Sequence, residues 1–427
     1  MNDFTGRLMK TTHRRHLSAL IERLWYDWPR PHRSPGTPVA ATLAALVDWV
    51  ALALLWCALA PLCLLTDVVS RLRRAQITAR KGPQVPPVVV VGNLLAGGTG
   101  KTPVAIALTN ALAERGWQPG LLARGVGAPG LSARVFLHAT TASEAGDEAA
   151  LLTQRTRAPV AIGRNRAQAF AALLAAAPDR TVIVSDDGLQ HRALDRTLEL
   201  VLIDQRVFGN GCLLPAGPLR ESPRALRSAD AILLRNAPDQ RAKIAALSGQ
   251  PTFDVTTRAA GWSSLAHWNA ELGKAEAEAE AEAEAEAEAA QHHSEPRFAS
   301  PPSSPEAARA EWIDDATLCQ WARGKRTIAI AGIAQPDRFF RDLRALPLEF
   351  VAIGLGDHAE IPREWLGGLQ ADCILMTEKD AVKCQHYADP RIRVRRMTTD
   401  LPPELLDFLE DRLRGCSPAR HSGLPAV

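Results

Sequence analysis

The residues best equipped for chemistry in this 427-residue chain are Gly97-Gly98-Thr99-Gly100-Lys101-Thr102. They follow an apolar run, Pro87 to Val91, and precede Pro103-Val104-Ala105-Ile106-Ala107-Leu108, which opens a helical pattern. Strand, glycine-rich loop, Gly-Lys-Thr and helix in that order make a phosphate-binding loop. Glycines let backbone N–H groups turn toward phosphate oxygens, and the helix N-terminus adds a favourable dipole. Lys101 would reach the β/γ-phosphates, and the Thr102 hydroxyl would hold Mg²⁺. Leu95 stands where the usual pattern has its first glycine, so Gly97 and Gly98 supply the turn.

Such a loop needs a carboxylate at a strand end to organise the metal. Val182-Ile183-Val184-Ser185-Asp186-Asp187 supplies it, an apolar run ending in two acids before Gly188. In a parallel sheet that end lies at the edge where ligands bind. Asp186 and Asp187 are therefore the expected Mg²⁺ pair, against the plainer role of a turn at Asp187-Gly188. Transfer to an alcohol also needs a base. Asp147, in Gly146-Asp147-Glu148, precedes a helical run, and spacing alone favours a helix N-cap there. Asp357-His358 follows another strand. The long loop from Gly209 to Glu221 is rich in glycine, proline and apolar residues and suits a cleft wall, with Arg220 a candidate to pair with a phosphate. Lys379, in Thr377-Glu378-Lys379-Asp380, is a second candidate cation. Gly125-Val126-Gly127-Ala128-Pro129-Gly130 formally matches a dinucleotide fingerprint, but Pro129 and the lack of a following helix set it aside.

These residues need a scaffold. Between Val85 and about Thr257, short apolar runs alternate with helical stretches. Strands are expected at Val88–Val91, Gly120–Ala123, Val182–Val184, Leu200–Ile203 and Ala231–Leu234, and helices at Pro103–Arg115, Glu148–Arg155 and Arg166–Ala177. The alternation predicts a mainly parallel α/β sheet with helices on both faces. A second, smaller α/β unit is expected from strands at Thr327–Ala331, Phe350–Gly354 and Cys373–Met376, with helices at Gln335–Ala345 and after Asp380. From Pro38 to Leu65 the only charge is Asp48, and the uninterrupted stretch from Trp49 to Leu65 is 17 residues. That is the short edge of what spans a bilayer, about 17–25 residues. A spanning helix, a helix embedded in one leaflet and a buried soluble helix all fit. Arg71, Arg73, Arg74, Arg80 and Lys81 follow, which places the downstream chain in the cytoplasm. Before it, Leu17, Leu20, Ile21, Leu24 and Trp25 recur at helical spacing, as an amphipathic surface helix or one packed on the body. Residues 275–290 hold seven Glu and no basic residue, so the net charge of +3 becomes +10 without them. A basic body suits an anionic partner. Seven scattered Cys argue for a reducing compartment and against a disulfide or zinc framework. The expected organisation is an amphipathic segment (1–36), an anchoring helix (37–70), a phosphate-loop domain (71–273), an acidic linker (274–308), a second α/β domain (309–415) and a loose tail (416–427).

Taken together, several stretches resemble the tetraacyldisaccharide 4′-kinase family. They are Val91-Gly92-Asn93 with Gly97 to Pro103, Ser185-Asp186-Asp187-Gly188-Leu189-Gln190-His191, Phe208-Gly209-Asn210-Gly211 through Arg220-Glu221, and Thr377-Glu378-Lys379-Asp380-Ala381. Leu24-Trp25-Tyr26 and the apolar segment fit as well. The resemblance implies a two-domain enzyme anchored in the bacterial inner membrane with its catalytic domains on the cytoplasmic face. It would move the γ-phosphate of ATP, with Mg²⁺, to the 4′-hydroxyl of a tetraacylated glucosamine disaccharide 1-phosphate, a late step of lipid A biosynthesis. It implies Asp147 as catalytic base with His358 as its partner from the other domain, and Arg166, Arg220, Glu221 and Lys379 as substrate contacts. Lipid substrate and inner-membrane lipids are the implied partners, with no nucleic acid and no obligatory protein partner. The acidic insert and the extra residues Asp27–Thr37 depart from the family pattern. The competing reading is a membrane-associated P-loop NTPase that couples hydrolysis to assembly or partner release.

Overall fold

Four consecutive valines, Val88 to Val91, are fully buried. A β-branched run buried on both faces reads as a central parallel strand. This run forms β1 (Val88–Asn93). The computed structural model describes residues 21–22, 24–26, 39–75, 86–128, 130, 132–270 and 312–415. The acidic insert, the tail, Asp27–Thr37, Arg80, Lys81 and most of the amphipathic stretch lie outside the described residues. The chain divides into two compact units, one of residues 1–82, 92–99 and 199–254, the other of 83–91, 100–198 and 255–427.

In the second unit, β1 pairs in parallel with β5 (Val182–Asp186), Val88 opposite Ile183 and Val91 opposite Asp186. The ladder continues in parallel from β5 to β2 (Pro119–Ala123) and from β2 to β4 (Val160–Ile162), and β3 (Arg134–Phe136) closes it antiparallel to β4. Val88, Val90, Leu122, Ile183 and Leu173 share one buried cluster on this sheet. The same unit holds a second ladder. There β9 (Thr327–Ala331) lies between β10 (Val351–Gly354) and β11 (Cys373–Thr377), β11 pairs with β12 (Ile392–Asp400), all in parallel, and β12 runs antiparallel to β8 (Thr252–Ser264). Its core gathers Trp262, Phe339, Phe340, Leu343 and Leu375. The sheets are mostly parallel, with helices packed on them.

Three helices carry side chains discussed below: α2 (Lys101–Glu114), α3 (Asp147–Arg155) and α4 (Arg166–Ala176). The first begins two residues before the expected Pro103. Proline is tolerated there because first-turn amides have no partner inside the helix. The helix expected after Asp380 instead starts at Glu378 and closes within one α-turn (Glu378–Ala381) before a 3₁₀ turn, Val382–Cys384. Thr377 caps it, its hydroxyl accepting from the Asp380 amide.

In the first unit, β6 (Leu198–Asp204) pairs in parallel with β7 (Ala231–Arg235). Its long helix, α1 (Val39–Ala75), contains a 20-residue stretch, Ala53–Leu72, of mean hydropathy 1.9, the one described helix long and apolar enough to cross a membrane. Leu54, Leu64, Leu65 and Leu72 on it are each 60% exposed or more. Cys63, Thr66 and Ser70, spaced three and four apart and therefore on one face, donate to the carbonyls of Leu213, Leu214 and Arg220.

Candidate active site

The phosphate loop has a left-handed residue at each end, Gly97 at φ +86° and Gly100 at φ +82°. Only glycine enters that region without cost. Gly100 is also the N-cap of α2 and supplies no side-chain cap, so the first-turn amides beside Lys101 have no acceptor within the helix. Within the second unit, the start of α2 meets the end of β5. The Thr102 hydroxyl donates to Asp186 Oδ2 at 2.8 Å, and Lys101 Nζ lies 3.3 Å from Asp187 Oδ1. Asp187 itself sits at φ +50°, a turn conformation that acidic residues tolerate.

Burial pushes the Asp186 carboxyl up to about 6, with repulsion from Glu148 and Asp187 opposing the pull of Lys101 and Thr102. Its Oδ1 is buried without a hydrogen-bond partner among the described residues. A carboxylate so short of positive charge, with a free oxygen beside a threonine hydroxyl, fits an octahedral Mg²⁺. That ion keeps several waters and takes only one or two protein carboxylates besides phosphate oxygens. Behind it stands Arg166 at the start of α4, 1% exposed. Its Nη2 donates to the Asp186 carbonyl at 3.0 Å, while Nε and Nη1 are buried without partners among the described residues. Burial draws this guanidinium down to about 10, against the opposing attraction of Asp186, Asp187 and Glu148.

A second constellation forms where α3 begins. The N-cap is Gly146, not Asp147 as spacing alone favoured. Gly146 takes φ +81°, and a Cβ there would overlap the Val126 carbonyl. Asp147 is thereby the first helical residue, and its carboxylate turns to side chains instead of capping. His358 Nδ1 lies 2.8 and 3.0 Å from its two oxygens. Lys379 Nζ and Lys383 Nζ lie 3.9 and 3.7 Å from Oδ2. Burial alone would raise the Asp147 carboxyl, but the His358 hydrogen bond and both lysines overcome it and hold it below the usual carboxylate range. The reciprocal hydrogen bond raises His358, opposed by burial and Lys379.

Lys379 also reaches Glu148 at 3.3 Å and Asp357 at 3.5 Å. Glu148 acts on Asp186 as well, so the two constellations of this unit share a charge field. Lys383 is fixed from behind by Asp380 at 3.1 Å and the Gly332 carbonyl at 3.3 Å. The far end of α3 is pinned by Arg155, which pairs with Glu378, both nearly buried. Glu378 in turn accepts from the Met397 amide.

Beside Arg166 lies a cavity of about 520 Å³ lined by Arg124, Gly125, Gly127, Arg164 and His191 among others. The stretch that mimics a dinucleotide fingerprint is one wall of it. Burial, and then the charge of Arg166, draws His191 down to about 4, so its imidazole is neutral at physiological pH.

In the first unit, Gly98 offers its carbonyl to Arg206 Nη2 at 3.0 Å, and Thr99 is fully buried. Arg220 and Glu221 close the loop after Gly209, and the Arg220 amide donates to the Leu94 carbonyl at 2.7 Å. Sequence reasoning passed over Lys383, the Arg155–Glu378 pair, and the cluster of Tyr26, Asp204 and Arg206. Two signals existed. Lys383 follows Lys379 by four residues, one helical turn, and Asp204 ends an apolar strand just as Asp186 does.

A mostly parallel α/β sheet, a glycine loop opening a helix and an acid pair at the end of the adjoining strand define a P-loop nucleoside-triphosphate fold. Within that class the chain belongs to the tetraacyldisaccharide-1-P 4′-kinase family, whose model matches residues 55–414. A tetraacyldisaccharide 4′-kinase of Bordetella petrii is 39% identical over 374 residues, 84% of this chain and 92% of its own. One from Dechloromonas aromatica is 34% identical over 399 residues, 93% and 98% of the two chains. Among solved structures, LpxK from Aquifex aeolicus in complex with ATP superposes with a TM-score of 0.61 at 21% identity, covering 84% of this chain and 99% of that one, which establishes the common fold.

Proposed function

We propose that this kinase transfers the γ-phosphate of ATP to the 4′-hydroxyl of a tetraacylated glucosamine disaccharide 1-phosphate, at the cytoplasmic face of the bacterial inner membrane. The observation that carries this reading is the pairing, inside one unit, of a carboxylate held ionised by His358 and two lysines with a Lys-Thr-Asp-Asp cluster at a phosphate loop. Such a pairing suits an acceptor hydroxyl on one side and a triphosphate on the other.

The transfer state is loose, so positioning and charge neutralisation carry most of the rate. Amides of residues 97–102 and the Lys101 ammonium hold the phosphates. Asp186, Asp187 and Thr102 would hold Mg²⁺, which supplies charge neutralisation on the phosphate oxygens. Asp147 accepts the hydroxyl proton late, and His358 Nδ1 fixes the orientation of its carboxylate. Arg166, whose Nε and Nη1 have no hydrogen-bond partner among the described residues, serves as a phosphate or substrate contact, and the cavity of Arg124, Arg164 and His191 takes the anionic sugar. Arg220, Glu221 and Lys379 serve as substrate contacts. The exposed leucines of α1 enter lipid and keep the acyl chains in the membrane.

The test is incubation of purified protein with ATP, Mg²⁺ and the disaccharide 1-phosphate lipid, with the product read by mass. A gain of one phosphate on the lipid is expected. ATP hydrolysis that proceeds equally without acceptor would instead make the protein a membrane-associated NTPase.

A further inference from the structure

A phosphate loop grips its ligand only while its amides point inward, which turns the carbonyls of the same peptides outward, where they need partners of their own. In the first unit, the Gly98 carbonyl has one in Arg206. Asp204, 4% exposed at the end of β6, fixes that guanidinium with contacts of 2.7 to 3.1 Å, and Arg235 braces Asp204 from 3.5 Å. With its charge met by Asp204, Arg206 acts on the loop by geometry rather than as a phosphate-binding cation. Its other face lies over Tyr26, 5.5 Å from the ring centroid.

Tyr26 belongs to the N-terminal helical segment, and that segment is seated by several bonds. Asn210 donates to the carbonyls of Trp25 at 2.7 Å and Leu24 at 3.0 Å. The Trp25 indole donates to Pro215 at 3.1 Å. Gly209 must lack a side chain, because a Cβ would stand 2.7 Å from the Trp25 carbonyl. The same loop bonds α1 through Cys63, Thr66 and Ser70, and bonds the approach to the phosphate loop through Leu94 and Ala96.

We propose that Arg206 is a positioning residue for the phosphate loop, and that Tyr26 clasps it so that seating of the N-terminal segment tunes the grip on the triphosphate. The proposal rests on the ATP reading given above. Full-length protein in detergent micelles is titrated with a fluorescent ATP analogue, and KM is measured for ATP and for the lipid acceptor. A charge-assisted hydrogen bond lost at the loop predicts that Arg206→Met weakens nucleotide binding about tenfold, with the acceptor KM nearly unchanged. Arg206→Lys keeps the charge but not the fork that joins Asp204 to Gly98, and recovers only part of the loss. Tyr26→Ala weakens nucleotide binding a few-fold, while Tyr26→Phe keeps the stacked ring, gives up only the long 3.4 Å bond from Arg206 Nη1 to the Tyr26 hydroxyl, and loses less affinity than Tyr26→Ala. Should Arg206→Met lower the melting temperature yet bind nucleotide as tightly as the wild type, Arg206 is merely structural and the proposal falls. If that variant does not fold, Tyr26→Ala and Arg206→Lys decide, and unchanged nucleotide affinity in both overturns it. Wild-type protein that binds no nucleotide would instead overturn the ATP reading itself.

Discussion

Replacing His358 by Asn tests the acid–base pair most directly. His358 sits at φ +59°, a conformation that Asn accepts and Ala does not, so the change removes the imidazole without adding backbone strain. The Asp147 side chain is 4% exposed, so water cannot replace the lost partner freely. A charge-assisted hydrogen bond of this kind contributes about 1.5–3 kcal/mol. If all of it serves to orient the base in the transfer state, turnover falls by about 10- to 150-fold. Lys379 and Lys383 remain near the carboxylate and keep it ionised, so ATP binding should not change. The pH profile adds a second readout. His358 is raised above 6.5, so its titration should give the wild type an inflection above that pH, and the Asn variant should lack it. Stability has the matching sign. The raised imidazole contributes fully below pH 6.5 and loses its contribution as pH rises through its folded value, so the melting temperatures of wild type and variant should converge in alkali. The depressed Asp147 contributes above 3.8 and loses its part only in acid below that value. The assay is acceptor-dependent ADP release between mild acid and mild alkali. Asp147→Asn should cost about 10²-fold or more, and the double variant should be no worse than Asp147→Asn, because the two groups act as one unit. Turnover of His358→Asn within about threefold of wild type, with the inflection intact, would refute the reasoning.

Lys101→Ala and Asp186→Ala should each lower turnover by about 10²- to 10³-fold while near-ultraviolet circular dichroism stays native, since each removes charge stabilisation at the triphosphate. Gly146→Ala should reduce both activity and melting temperature, because its Cβ would collide with the Val126 carbonyl and displace Asp147. Glu378→Ala strands Arg155 in a nearly buried site, and urea titration should show a loss of about 3–5 kcal/mol. Removing residues 275–290 should leave turnover within about twofold, as expected for an insertion that takes no part in the chemistry; a large loss would give the insert a role in the reaction.

Much of the scaffold was legible before the structure. Val88–Val91, Leu200–Ile203 and Thr327–Ala331 are short apolar runs, and the burial of all their residues but Ile328 is what such runs demand. The strands that escaped have weaker local signals. Val160–Ile162 is only three residues long. Ile392–Asp400 carries Arg393, Arg395 and Arg396, charges that suit a strand here because β8 pairs alongside and Trp262, Trp312 and Trp321 accept the guanidinium faces. The site divides in the same way. Lys101, Thr102, Asp186 and Asp187 lie on a phosphate loop and a strand end that local pattern reveals. Glu378 gave no such signal and Lys383 only its four-residue spacing from Lys379, because their importance comes from what they touch.

By itself, the sequence determined the glycine loop, the strand that ends in acids and the apolar segment, because each depends on interactions within a dozen residues. Backbone freedom at Gly97 and Gly100, β-branching at Val88–Val91 and hydropathy at Ala53–Leu72 act locally. Only the tertiary structure decided that Asp147 faces His358, 211 residues away in sequence, instead of capping its own helix. That outcome depends on Gly146 turning the chain and on two lysines from a distant segment reaching the same carboxylate. Charges so far apart along the chain meet through packing, which no local periodicity encodes.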